Sequence, residues 1–100
     1  MNVKIHSVKF DADSKLLNFI DEKVNKLEVF YDDILSAEVF LRLEKDTQER
    51  ENKIVEIKLD IPKNPLFSKK QCKTFEEATD QTVDALRKQL IKHKEKIRKV

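Results

Sequence analysis

Between Ala85 and Val100 the chain carries seven lysines or arginines, at positions 87, 88, 92, 94, 96, 98 and 99, against one acid, Glu95. Folding does not require that density of cations on one segment. Holding a polyanion does, because each phosphate must be neutralised. Lys88, Lys92 and Lys96 step by four, and on a helix such a series forms a ridge with about 6 Å between neighbours. That spacing approaches the separation of successive phosphates along an RNA strand. A ridge of this kind reads backbone geometry rather than bases.

The remaining reactive side chains form no catalytic constellation. His6 falls on the polar side of an alternating segment and His93 at the edge of an apolar stripe, which suits surface or boundary residues better than a metal pair. Cys72 is the only cysteine, so neither an internal disulfide nor a zinc cluster can form, and no motif around it marks a nucleophile. Glu76-Glu77 and Asp32-Asp33 are adjacent acids whose side chains diverge on a helix, which does not make a shared-proton dyad. Glycine is absent, and with it the phosphate-cradling loops of nucleotide-binding enzymes. The expectation is a protein that is not an enzyme, with no cofactor, no metal and no small-molecule substrate.

Stepping outward from these residues, 100 positions with 39% apolar and 40% charged side chains fit one folded domain with a heavily charged surface. Residues 1–62 carry ten basic and fourteen acidic side chains, and residues 63–100 eleven and five. The molecule is therefore polar, with one side suited to anions. No apolar run is long enough to span a bilayer, and the first residues resemble no secretory signal. The reading is a cytoplasmic protein without a membrane partner.

The elements that must position the cations follow from periodicity. Residues 2–8 alternate as a short strand. Asp11 or Asp13 caps a helix whose apolar face is Leu16, Leu17, Ile20, Val24, Leu27 and Tyr31, flanked by Lys15, Lys23 and Lys26. Ala37, Val39, Leu41 and Leu43 form one face of a second strand, and Val55, Ile57, Leu59 and Ile61 one face of a third, with a polar connection at 46–53. Pro62-Lys63-Asn64-Pro65 is a turn, and Leu66 to Lys73 a lysine-rich edge strand. Thr74-Phe-Glu-Glu77 matches a capping box, opening a helix with Phe75, Thr79, Val83, Leu86, Leu90 and Ile97 as its buried stripe. Lys88, Lys92, Lys96 and Lys99 fall at the opposite pole, and Arg87, Lys94 and Arg98 flank the stripe.

The order β-α-β-β-β-α predicts an α+β fold, a two-layer sandwich with two helices on one face of a four-stranded sheet. The exposed aromatics do not suggest a sheet platform for stacking bases, so shape recognition of folded RNA is favoured over single-strand reading.

Three segments carry a family resemblance. Asp84-Ala-Leu-Arg-Lys-Gln-Leu-Ile-Lys-His-Lys-Glu-Lys96 resembles the D-K-L-x-R-Q-L-x-K-H-K-D-K helix of the short ribosome hibernation-promoting factors and ribosome-associated translation inhibitors. Glu22-Lys-Val-Asn-Lys-Leu-Glu28, followed by Tyr31, Asp32 and Ile34, and the strand Val39-Phe-Leu-Arg-Leu-Glu-Lys45 are similar to further segments of that family. Ala85 stands where the family has Lys or Arg. Asp33 replaces a residue that is often basic, and Phe75-Glu-Glu-Ala-Thr-Asp80 lacks the family's tyrosine.

The resemblance implies a shape related to double-stranded-RNA-binding domains and binding to small-subunit rRNA in the channel that holds tRNA and mRNA. Inhibited translation and stabilised idle ribosomes would follow, as in stationary phase and stress. It implies one ribosome-binding domain over residues 1–100, monomeric when free and without the C-terminal dimerising domain of longer forms. Carried over by position, the RNA-binding residues are Lys23, Lys26, Lys88 and Lys92; Arg87, Lys94 and Lys96 join them from the helix pattern. The two helices are expected to frame one phosphate surface between them. The competing readings are a protein-interaction module that modulates a transcription factor through the acidic side of the first helix, and a general double-stranded-RNA binder.

Overall fold

Strand alternation and helical stripes produce the expected elements. These are β1 (Asn2–Ser7), α1 (Ser14–Asn25), β2 (Ser36–Leu43), β3 (Lys53–Asp60), β4 (Leu66–Cys72) and α2 (Phe75–Arg98). The computed structural model describes residues 1–44 and 51–98, so most of the expected polar connection at 46–53 lies outside the described residues. The sheet order is β1-β2-β3-β4, with β1 parallel to β2 and the other pairs antiparallel. Register aligns Ala37 with Leu59, Val39 with Ile57 and Leu41 with Val55, and all six are buried. Their alternates, including Glu38, Phe40, Arg42, Glu56 and Lys58, project to the other face.

Both helices cover the apolar face. Ile20 and Val24 bury α1 on the β1 side, and Phe75, Ala78, Thr79, Thr82, Leu86 and Leu90 seat α2 over β3 and β4. The helices run in the same direction. Phe10 stacks on Phe75 at their start, Lys23 meets Asp80 midway, and Tyr31 meets His93 edge-on near the end. Thr79 and Thr82 are buried polar residues that remain satisfied, because their hydroxyls donate to the carbonyls of Phe75 and Ala78 at 2.7 Å.

Local chemistry sets the helix ends. Asp13, of the two candidates, caps α1 by accepting from the Leu16 N–H at 2.8 Å. The expected single helix through Tyr31 stops instead at Asn25, whose side-chain amide donates to the Asp21 carbonyl at 2.8 Å. A 3-10 turn over Lys26–Val29 follows, which still buries Leu27. Thr74 Oγ1 accepts from the Glu77 N–H at 3.0 Å and starts α2.

At 24 residues α2 is about 36 Å long, whereas a seven- or eight-residue strand spans roughly 25 Å. Its last turns therefore overrun the sheet. Ile97, expected in the buried stripe, is 51% exposed for that reason. In the β3–β4 turn the Asn64 N–H donates to the Ile61 carbonyl, and Lys63 adopts φ 68°, a conformation usually left to glycine. Lys9 does the same after β1, with φ 66°.

Leu90→Ala removes a fully buried side chain and is expected to lower unfolding stability by about 2–5 kcal/mol in urea titrations. Ile97→Ala, on the overhang, should change it by less than about 0.5 kcal/mol. Equal losses at the two positions would contradict the overhang.

Candidate nucleic-acid interface

The seating of α2 divides its cations between two flanks. On the flank facing α1, Arg87 lies over the Phe30 ring at 5.8 Å, and Lys94 borders an open depression with Val29, Phe30, Ile91 and Glu95. Lys23 bridges from α1 to α2 nearer the start of α2, with its ammonium 5.4 Å from the Phe19 ring and 3.3 Å from Asp80. Lys26 is exposed just beyond, at the C-cap of α1. The other flank faces β4. There Lys88 borders a depression with Lys70, Gln81, Asp84 and Ala85, and Lys92 and Lys96 border one with Asn64, Leu66, Gln89 and His93.

Of the cations expected to frame one surface between the helices, Lys88 shares Asp84 with Arg87, and the others are distributed on either side of it. Arg87 and Lys94 face α1, with Lys23 nearer the start of α2, whereas Lys92 and Lys96 look over β4. The physical reason is the rotation imposed by Ala78, Thr82, Leu86 and Leu90. Lys70, which sequence reasoning could not place, stands on the helix side of β4 beside Lys88; Lys69 alternates to the opposite face across from Glu56. Ala85 lies between Lys70 and Lys88, so a β4 lysine stands next to the position where the resembled family carries a cation.

Acids engage part of the set. Asp84 accepts from Arg87 at 2.8 Å and lies 3.2 Å from Lys88. The Arg87 hydrogen bond first, and then the Lys88 one, hold the Asp84 carboxyl below its ordinary value. These ion pairs and Lys23–Asp80 are solvent-exposed, so they contribute little to stability and exchange readily for another anion. Gln89 donates to the Phe67 carbonyl at 3.1 Å and ties the β4 flank to the sheet. His93 is held edge-on by Tyr31, 5.3 Å between centroids, and its Nδ1 lies 3.5 Å from the Asn64 amide.

Other candidates stay apart from these flanks. Cys72 is buried, and burial first, then Glu77 and Glu51, push its thiol up, which makes it a poor nucleophile. Among the described residues no cluster of His, Cys, Asp or Glu is placed to hold a metal ion. None of their helices is long and apolar enough to cross a membrane. Sequence reasoning missed the outer face of the sheet. There His6 stacks on Phe40 at 4.9 Å with an 18° interplanar angle, and Arg42 and Lys58 sit over the Phe40 ring at 5.3 and 5.5 Å. The only available signal was the period-two position of each ring; the neighbours come from different strands and appear only once register is known.

The β-α-β-β-β-α order, with both helices on one face of a four-stranded sheet, defines a two-layer α+β domain. Within that class, the family model described as sigma 54 modulation protein / S30EA ribosomal protein matches residues 3–98, and the chain belongs to that family. The ribosome hibernation promoting factor of Azotobacter vinelandii is 31% identical over 96 residues, covering 96% of this chain and 85% of that protein. The Klebsiella oxytoca protein of the same name is 29% identical over 98 residues, covering 98% and 96%. In fold, the chain is similar to a ribosomal subunit interface protein from Coxiella burnetii, with TM-score 0.82 at 17% identity over 94% of this chain and 98% of that one. It is similar also to the N-terminal domain of Protein Y from Thermus thermophilus, with TM-score 0.79 at 22% identity over 93% and 99%. The resemblance read from the three segments thus leads to the right family.

Asp84→Asn removes the acid shared by Arg87 and Lys88. The variant is expected to elute from heparin at higher salt than wild type near neutral pH, with thermal unfolding nearly unchanged. Because the Asp84 carboxylate is held below its usual value, its ion pairs persist above that range and disappear as pH falls through the lowered value. The elution difference should therefore close on strong acidification.

Proposed function

We propose that this protein is a ribosome hibernation factor that acts in the cytoplasm by binding rRNA of the small subunit in the channel used by tRNA and mRNA. Occupying that channel excludes both ligands, which inhibits translation and preserves idle ribosomes without any chemical step. The observation that carries this reading is the pair of cationic flanks on α2, in a chain of a family whose relatives are named for ribosome hibernation. Lys23, Lys26, Arg87 and Lys94 form the α1-side contact, and Lys88, Lys92 and Lys96, with Lys70, the β4-side contact. A helix that presents cations on both sides fits a cleft walled by RNA better than a flat duplex. The free chain acts as a monomer and one domain suffices for binding.

Phosphates displace Asp80 and Asp84 from their lysine and arginine partners at small cost, because the pairs are exposed. Each phosphate neutralised steepens the dependence of log K on log salt by about 0.9 for duplex-like targets and about 0.7 for single strands.

Lys88→Glu combined with Lys92→Glu is expected to abolish co-sedimentation with small subunits in sucrose gradients while thermal unfolding stays nearly unchanged. Free duplex RNA should compete poorly with ribosomes. Normal sedimentation of the double variant, or full competition by duplex, would remove this reading.

A further inference from the structure

The outer face of the sheet is turned away from both helices, yet it carries more aromatic surface than a solvated face needs. Phe40 lies at its centre on β2. His6 stacks on one side of it, and Arg42 and Lys58 cover the ring from β2 and β3. Phe67, on β4 directly across from Lys58, is 48% exposed. From two inter-strand spacings and a two-residue offset in register, Phe40 and Phe67 lie roughly 12 Å apart.

Charge on this face is partly matched and partly free. Glu38 hydrogen-bonds His6 at 3.1 Å, and Glu56 pairs with Arg42 at 3.5 Å. Asp60 lies at the end of β3, across from Ser36 and away from the rings. Register places Lys4 and Lys69 on the same face as Lys58, all three exposed. Glu38 stands across from Lys4 and Lys58, and Glu56 across from Lys69, but the ion pairs of these acids run to His6 and Arg42. Five cationic or titratable side chains, Lys4, His6, Arg42, Lys58 and Lys69, thus share the face around the rings with two acids. The faces of Phe40 are taken by His6, Arg42 and Lys58, so Phe40 backs His6, and the rings open to a ligand are Phe67 and the outer face of His6. Open rings among cations complement a ligand with flat π-faces and a phosphate backbone.

We propose that the outer sheet face, through Phe67 and a His6 ring backed by Phe40, with Lys4, Lys58 and Lys69, binds an unpaired stretch of single-stranded RNA. Bases stack on the rings, and the lysines neutralise the intervening phosphates. The partner must be unpaired, because a base inside a duplex already has both of its faces covered. This surface lies on the opposite side of the sheet from the helix flanks, so a protein docked on structured RNA through α2 would keep it free for a second strand.

The test uses the full chain and fluorescence anisotropy of end-labelled oligoadenylate and oligouridylate. Wild type is expected to bind both, with unlabelled duplex RNA a weak competitor. Phe40→Leu combined with Phe67→Leu keeps apolar bulk and removes the rings, and should weaken binding about tenfold or more. Phe67→Leu alone, at an exposed position, should cost about fivefold and serves if the double variant does not fold. Lys58→Ala should reduce the salt slope by about 0.7. The ring variant should still sediment with small subunits, so the two surfaces succeed or fail separately. Unchanged oligonucleotide affinity in the ring variants, equal competition by duplex, or a larger loss from Lys88→Glu with Lys92→Glu than from the ring variant would overturn the proposal.

Discussion

The rotation of α2 about its own axis is the constraint on which the rest of the surface depends. Ala78, Thr82, Leu86 and Leu90 are buried against β3 and β4, and Thr82 can sit there only because its hydroxyl is satisfied within the helix. Once those residues are seated, the described cations of α2 fall to one side of the helix or the other. Arg87 and Lys94 must meet α1, and Lys92 and Lys96 must look over β4. The core thus sets the electrostatic layout.

Much of this is legible in the sequence. Alternation in residues 37–43 and 55–61 predicts two half-buried strands, and register pairs three apolar residues of each; Leu43 instead meets Lys53 and is partly exposed, and Ile61 is buried just past the end of β3. The Thr74 cap is visible as a sequence pattern because its partner lies three residues away. The break of α1 at Asn25 was not legible. The apolar spacing from Leu16 to Tyr31 continues smoothly, and the competing hydrogen bond from Asn25 to Asp21 is only one among the local options of that side chain. The flank assignments were hidden for a different reason. A helical pattern gives angles from the stripe, but not which neighbour stands on each side. The stack of His6 on Phe40 needs the parallel pairing of β1 with β2, which no local pattern contains.

The two faces of the sheet manage charge differently. On the helical side, Asp80 and Asp84 shield some of the cations while leaving Lys26, Lys92, Lys94 and Lys96 exposed. On the outer side, Glu38 and Glu56 pair across strands with His6 and Arg42, in keeping with cross-strand pairs as the unit of sheet stabilisation. Exposed ion pairs of this kind limit self-repulsion between the cations and contribute little to stability.

Lys9 and Lys63 hold left-handed backbone conformations in a chain with no glycine. Each such residue costs about 1–2 kcal/mol in the native state, yet the absence of glycine also narrows what the denatured chain can sample. The domain therefore draws part of its persistence from a restricted random coil rather than from contacts alone. Placing glycine at either turn would relieve the native backbone and broaden the denatured ensemble at once, two effects of opposite sign.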